Sequence, residues 1–287
     1  MTEICAVILA AGEGRRLRPL TERLPKALCP VGNVALLDRA LQRVEALGFT
    51  GPSGVAVNAA YLAPQIVEHV GSRTHVSVEP DGPLGTSGGL GRLRSWIDGR
   101  GVLVGNADAY LADPHRDPGK DIAALLDGWD GDTVRMLTTT PGTEFSGRRF
   151  AGFSLLPWRW VAPLDDTFAD LVRTVWRPAE AAGSLHLIRY GGSYVDTGTP
   201  ADYLTANLHA AAGLVDPSAR VTGAISDSMV GAGATITGTV SGSVVGAGAT
   251  VAGTITRSVI WPGATVRAGE TLENVIRAGA DLTVTAA

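Results

Sequence analysis

Cysteine is nearly missing from this chain: Cys5 and Cys29 are the two in 287 residues. Two cysteines cannot make a disulfide framework, so a packed core must hold the fold, and a cytosolic setting is expected. Positive charge is also short, with 24 Lys and Arg against 28 Asp and Glu and a formal net charge of -4. A general nucleic-acid partner needs a basic face and is therefore excluded, and any anion site has to be local. No apolar run approaches the ~20 residues of a bilayer span, which excludes a membrane partner. The start, "MTEICAVILAAGEG", has no basic stretch ahead of its apolar run and reads as a buried strand rather than a signal peptide.

With 45% hydrophobic residues the chain can bury a sizeable core, enough for one large domain and a smaller one. Up to about Gly213, short apolar runs such as "ICAVILA", "GVLVGN" and "TVRMLTT" alternate with helix-like stretches. That alternation predicts an α/β layer fold with a mainly parallel, Rossmann-like sheet flanked by helices. In "NVALLDRALQRVEALG", Val34, Leu37, Leu41 and Val44 recur at helical spacing before Gly48 stops the helix. Beyond Gly213 another period takes over. Val215, Val230, Val245 and Ile260 recur every fifteen residues, and Val221, Ile236, Val251 and Val266 follow each by six. Short aliphatic strands with Gly-rich corners and a small Ala resemble the hexapeptide repeats of left-handed parallel β-helices. The expected domains are residues 1–213, α/β, and 214–287, a short left-handed β-helix.

The segment "LAAGEGRRLRPLTERLPKALCPVGN", Leu9 to Asn33, concentrates glycine and five cationic side chains where the first strand ends. A strand, a turn at Gly12 and Gly14 and then a helix-like stretch can cradle an anion on backbone N–H groups. The common nucleotide motifs fail, because no third glycine completes G-x-G-x-x-G and no G-x-x-x-x-G-K-[ST] occurs. Arg15, Arg16 and Arg18, with Lys26 between two Pro-containing turns, have the character of a polyphosphate clamp, since guanidinium groups bind phosphate oxygens bidentately.

This segment closely resembles the signature of the sugar-1-phosphate nucleotidylyltransferases, L-A-A-G-x-G-[ST]-R-L-x-P-L-T followed by P-K-x-L-x-P-V. The departure is Arg15, where that family has Thr or Ser. The resemblance implies catalytic roles for Arg16 and Lys26 and nucleotide contacts from Leu9, Ala11, Gly12, Gly14 and Arg15. Three more segments extend it. "EPDGPLGTSGGL" is similar to the family's base-contacting loop and implies nucleotide contacts from Gly85, Thr86 and Gly88. "VLVGNADAY" and "YVDTGTPADYLTAN" imply metal ligation by Asp108 and Asp196. Thr199, Pro200 and Asp202 read on their own as an N-cap, N1 and N3 set, which leaves Asp196 for another task.

The implied reaction is attack of a sugar-1-phosphate on the α-phosphorus of a nucleoside triphosphate. Two anions must meet, so a divalent cation, magnesium, is the expected cofactor. One family element is missing: no E-K-P segment, whose Glu and Lys contact the sugar, occurs anywhere. Glu144, Arg148 and Arg149 are the candidates for that contact. The P-L-G-T-x-G-G loop with a hexapeptide tail resembles mannose-1-phosphate guanylyltransferases, which puts GTP first. "FAGFSLLPWRW" and "GGSYVDTGTP" resemble N-acetylmuramate-1-phosphate uridylyltransferases, which puts UTP second, and glucose-1-phosphate with dTTP or UTP remains open. A hexapeptide acyltransferase is disfavoured because all five histidines precede the repeats. A noncatalytic nucleotide-sugar sensor is the other rival. The short solenoid, with an open end, is expected to pack on the α/β domain or to support a homo-oligomer.

Overall fold

The computed structural model describes residues 3–286. Contacts group them into two compact units. The first holds the chain up to Glu13, Leu24–Leu28 and Leu36–Tyr194; the second holds Gly14–Arg23, Cys29–Ala35 and the chain from Val195 onward. The composition change near Gly213 thus falls inside the second unit.

In the first unit seven strands form one sheet: β1 Ile4–Leu9, β2 Val55–Ala59, β3 His75–Val78, β4 Gly101–Asn106, β5 Val134–Thr139, β6 Arg149–Leu156 and β7 Leu185–Arg189. Their order is β7-β5-β6-β4-β1-β2-β3. All neighbours are parallel except β6, which runs antiparallel to β4 and β5. The expected mainly parallel sheet is therefore present, with one reversed strand. Its two faces explain why β1 is continuously apolar: Ala6 and Ile8 join one core cluster, Cys5 and Val7 the other, and all four are fully buried. Burial pushes the Cys5 thiol up to about 12, so this cysteine acts as a small core residue. Helix α1, Leu36–Ala46, buries Leu37, Leu41 and Val44 as their spacing predicts. Val34 lies ahead of the helix in the two-residue strand Val34–Ala35.

The second unit contains the repeats as stacked parallel strands of a left-handed β-helix. The fifteen-residue period is the register itself, with Thr235 opposite Thr250 and Thr250 opposite Thr265. Val230, Val245 and Ile260 stack inside, as do Ile236, Val251 and Val266. Ala234, Ala249 and Ala264 are fully buried, so only a small side chain fits each of these corners. Val215 and Val221 stay 44% and 40% exposed because the coil they open has a neighbour on one side alone. Ser228, Ser243 and Ser258 make an internal ladder: each hydroxyl accepts from a backbone N–H one coil on and donates to the carbonyl two residues back. At the other end Val275–Ala278 pairs with the antiparallel strand Leu282–Thr285.

Candidate functional site

Parallel strands β1, β2 and β4 end together. The register sets Leu9 beside Asn58 on one side and Asn106 on the other. Beyond these ends lies a cavity of about 170 Å³ in the first unit, at the carboxyl edge of the sheet where open α/β folds bind ligands. Four chain segments line it. Leu9 ends β1, with Ala11 and Gly12 beyond it; Asn58 lies one residue before the end of β2; Pro83, Gly85 and Thr86 follow β3; and Asn106 ends β4, with Asp108 beyond it. Lys26 completes the wall. Its size is below the ~300–1,000 Å³ of pockets that enclose a whole drug-sized ligand, so a nucleotide would seat only part of its surface there.

Lys26 brings a buried cation to the cavity wall. Its side chain is buried, and its Nζ donates to Asp108 Oδ2 at 2.6 Å. A buried ammonium requires such a partner, and the partner here is 40% exposed in its side chain, so the pair joins core to cavity. Among the described residues no group of three or more His, Cys, Asp or Glu forms a metal cluster. The cavity rim nevertheless offers hard oxygens, the Asp108 carboxylate and the Asn106 side chain. This set fits magnesium, which uses one or two carboxylates and keeps waters.

Three of the expected nucleotide contacts come from helix α2, Gly85–Arg92, and they separate. Gly85 and Thr86 line the cavity; Gly88 does not. A Cβ at Gly88 would lie 2.3 Å from the Thr167 carbonyl oxygen, and one at Gly91 only 1.9 Å from that of Asp165. The glycines here are required by backbone packing of the helix on the segment from Asp165 to Ala169. Gly85 shares that packing, with φ +75° and the Ala169 oxygen at 2.3 Å.

Asn58 and Glu79 escaped the sequence reading. Both are 2% exposed. Asn58 Oδ1 accepts from Ala10 N at 2.7 Å, its Nδ2 donates to Glu79 Oε1 at 2.7 Å, and Glu79 Oε2 accepts from Leu84 N at 2.8 Å. Burial raises the Glu79 carboxyl above the ordinary range, partly offset by these donors. The one signal in the sequence was a polar residue interrupting the apolar run "VAVNAA".

In the second unit Gly14, in the left-handed region at φ 63°, starts the short helix Arg15–Leu17. Leu17 and Leu20 are fully buried, which holds this turn while Arg15 and Arg16 project outward. Arg16 Nη2 lies 3.6 Å from Asp196 Oδ2. Gly198 gives the D-x-G spacing its meaning, since a Cβ there would stand 2.4 Å from the Arg16 guanidinium. The cap is formed as expected: Thr199 Oγ1 accepts from Asp202 N at 3.2 Å and donates to Asp202 Oδ2 at 2.6 Å, starting helix α3, Pro200–Ala210.

Glu144 and Arg148 lie on the turn between β5 and β6 and Arg149 opens β6, all three outside the cavity lining. Glu144 Oε2 accepts from Phe150 N at 3.1 Å, and Arg149 sits over the Tyr194 ring at 5.5 Å. These contacts brace the turn.

A MobA-like NTP transferase domain matches residues 6–139, the stretch that contains Lys26, Asn58, Gly85 and Asp108. The curated relatives that the chain matches are named as sugar-1-phosphate nucleotidyltransferases. Similar proteins include the N-acetylmuramate alpha-1-phosphate uridylyltransferase of Neisseria meningitidis serogroup B, 38% identical over 109 residues, 36% of this chain and 46% of that protein. The mannose-1-phosphate guanylyltransferase of Mycobacterium tuberculosis is 31% identical over 131 residues, 44% of this chain and 33% of that one. The chain thus spans less than half the length of these two relatives. A crystal structure of a putative glucose-1-phosphate thymidylyltransferase from Bacillus anthracis, in complex with a sucrose, shares the fold at a TM-score of 0.60 and 16% identity, covering 72% of this chain and 95% of its own.

Proposed function

We propose that the chain is an enzyme that joins a nucleoside triphosphate and a sugar-1-phosphate, giving a nucleotide sugar and pyrophosphate. The observation that carries this is the buried Lys26 paired with a half-exposed Asp108 in the cavity at the ends of β1, β2 and β4. A sugar-phosphate oxygen attacks the α-phosphorus, the bond to the bridging oxygen of the β-phosphate breaks, and pyrophosphate leaves with that electron pair. Gly12 lets a nucleotide approach the backbone after β1. Lys26 offers its ammonium to the transferred phosphate, and its rigid seat means that the charge needs no rearrangement as the transition state forms. Asp108 would hold magnesium, whose chemistry when bound is to neutralise phosphate oxygens. In the second unit Arg16 and Asp196 keep the roles the resemblance implies, pyrophosphate contact and metal ligation.

GTP with mannose-1-phosphate is the pair we place first, on the P-L-G-T-x-G-G loop and the hexapeptide tail. A second reading, UTP with N-acetylmuramate-1-phosphate, is favoured by the 38% identical relative. We place the reaction in the cytoplasm and the working form as a homo-oligomer. Pyrophosphate release, measured with GTP, UTP, dTTP and ATP against mannose-, glucose- and N-acetylmuramate-1-phosphate, tests the proposal. Magnesium-dependent release with one pair is the expected outcome; binding without release in every pair would make the chain a sensor.

A further inference from the structure

We propose that Asn58 and Glu79 are positioning residues which set the two walls of the nucleotide cavity against each other, so that triphosphate affinity depends on their hydrogen-bond polarity. This inference rests on the nucleotide-site reading above. The cavity has one wall after β1, Ala10 to Gly12, and another after β3, Pro83 to Thr86. No secondary-structure hydrogen bond joins two such loops. The Asn58–Glu79 pair does: one end takes the Ala10 N–H and the other takes the Leu84 N–H.

The polarity of the chain is forced. Both ends are backbone donors, so the side chains between them must present an acceptor at each end. Asn58 spends its oxygen on Ala10 and must turn its amide nitrogen towards Glu79. Glu79 then meets two donors, Asn58 Nδ2 and Leu84 N, which only an ionised carboxylate can satisfy with both oxygens. Gly89 makes room, because a Cβ there would lie 2.7 Å from Asn58 Nδ2 and 3.1 Å from Glu79 Oε1. With both residues 2% exposed, water cannot replace a lost partner.

This logic dictates a swap. Glu79→Gln sets an amide donor against a backbone or amide donor. Asn58→Asp sets two carboxylates face to face. The double variant Asn58→Asp/Glu79→Gln restores every bond: the introduced aspartate accepts from Ala10 N–H and from the introduced amide, whose oxygen accepts from Leu84 N–H. The experiment is calorimetric titration of the full-length chain with magnesium triphosphates, alongside steady-state kinetics and thermal melts. Each single variant should raise the triphosphate Kd and KM by about tenfold or more, with the KM of the sugar phosphate held. The double variant should return the Kd to within about threefold of the parent chain. Single variants that bind like the parent, or a double variant no better than the weaker single, would overturn the proposal. A parent chain that binds none of the four triphosphates overturns the nucleotide-site reading itself, and the role of this pair with it.

Discussion

The coils of the second unit and the strand ends of the first are both parallel β-structure, yet they treat polar groups in opposite ways. In the coils one serine of each repeat meets its own copy one repeat away. Ser228, Ser243 and Ser258 hand hydrogen bonds from coil to coil, and nothing is left facing a ligand from that ladder. At the ends of β1, β2 and β4 the neighbours differ, and Leu9, Asn58 and Asn106 stand side by side with Asp108 and Lys26 beyond them. Repetition consumes polar groups in structure, whereas its interruption leaves them for chemistry. Mutations should therefore affect turnover at the strand ends and stability in the coils.

The largest effect should come from the strand ends. Lys26→Ala removes the fixed charge and should lower turnover by about 10²-fold to 10³-fold, as loss of a transition-state donor does. Asp108→Asn should fall comparably but recover in part with excess magnesium, since it acts through metal occupancy; pyrophosphate release over a magnesium series separates the two. If both variants respond identically to magnesium, Asp108 has no special link to the cation.

Next is Gly88→Leu, which the packing on Thr167 makes a stability variant. Overpacking against a backbone carbonyl should cost about 1–3 kcal/mol or more in denaturant unfolding. Full stability with lost nucleotide binding would instead return Gly88 to the site. In the coils Ser243→Ala leaves the buried Ser258 N–H without its acceptor, and should cost about 1–3 kcal/mol while leaving triphosphate affinity unchanged. A shift in that affinity would erase the contrast between the two regions.

The smallest effect is a pH dependence. Burial raises the folded-state pKa of Glu79 above its unfolded value. The contribution of this group to stability is thus present below the ordinary Glu value and is lost as pH rises through the raised one. Nucleotide affinity should move the other way, weakening as acidification protonates the carboxyl that accepts from Asn58 and Leu84. Affinity and melting temperature followed together across the mildly acid range check this, and Glu79→Gln should flatten both trends.

Much of this was legible in the sequence because it is periodic or local. The fifteen-residue repeat is the coil register, the alternating runs gave the parallel sheet, and Thr199, Pro200 and Asp202 form the cap their spacing describes. The match of Leu9, Gly12, Lys26 and Asp108 to a known signature picked out residues that do line one cavity. What the sequence could not show depends on contacts between distant segments. Asn58 and Glu79 are unremarkable until β2 and β3 lie side by side, and the packing of Gly88 on the Thr167 carbonyl is hidden until those two segments meet. The reversed strand β6 and the exposed first coil had the same cause, because pairing partners are not written in a local pattern.

Backbone hydrogen exchange with and without a magnesium triphosphate tests the central claim most directly. The account predicts slowed exchange in residues 9–12 and 84–86, on the two walls of the cavity, with the coils from Arg220 to Val266 unchanged, and loss of that protection in Lys26→Ala. Protection confined to the coils, or protection at the strand ends that persists in Lys26→Ala, would contradict it.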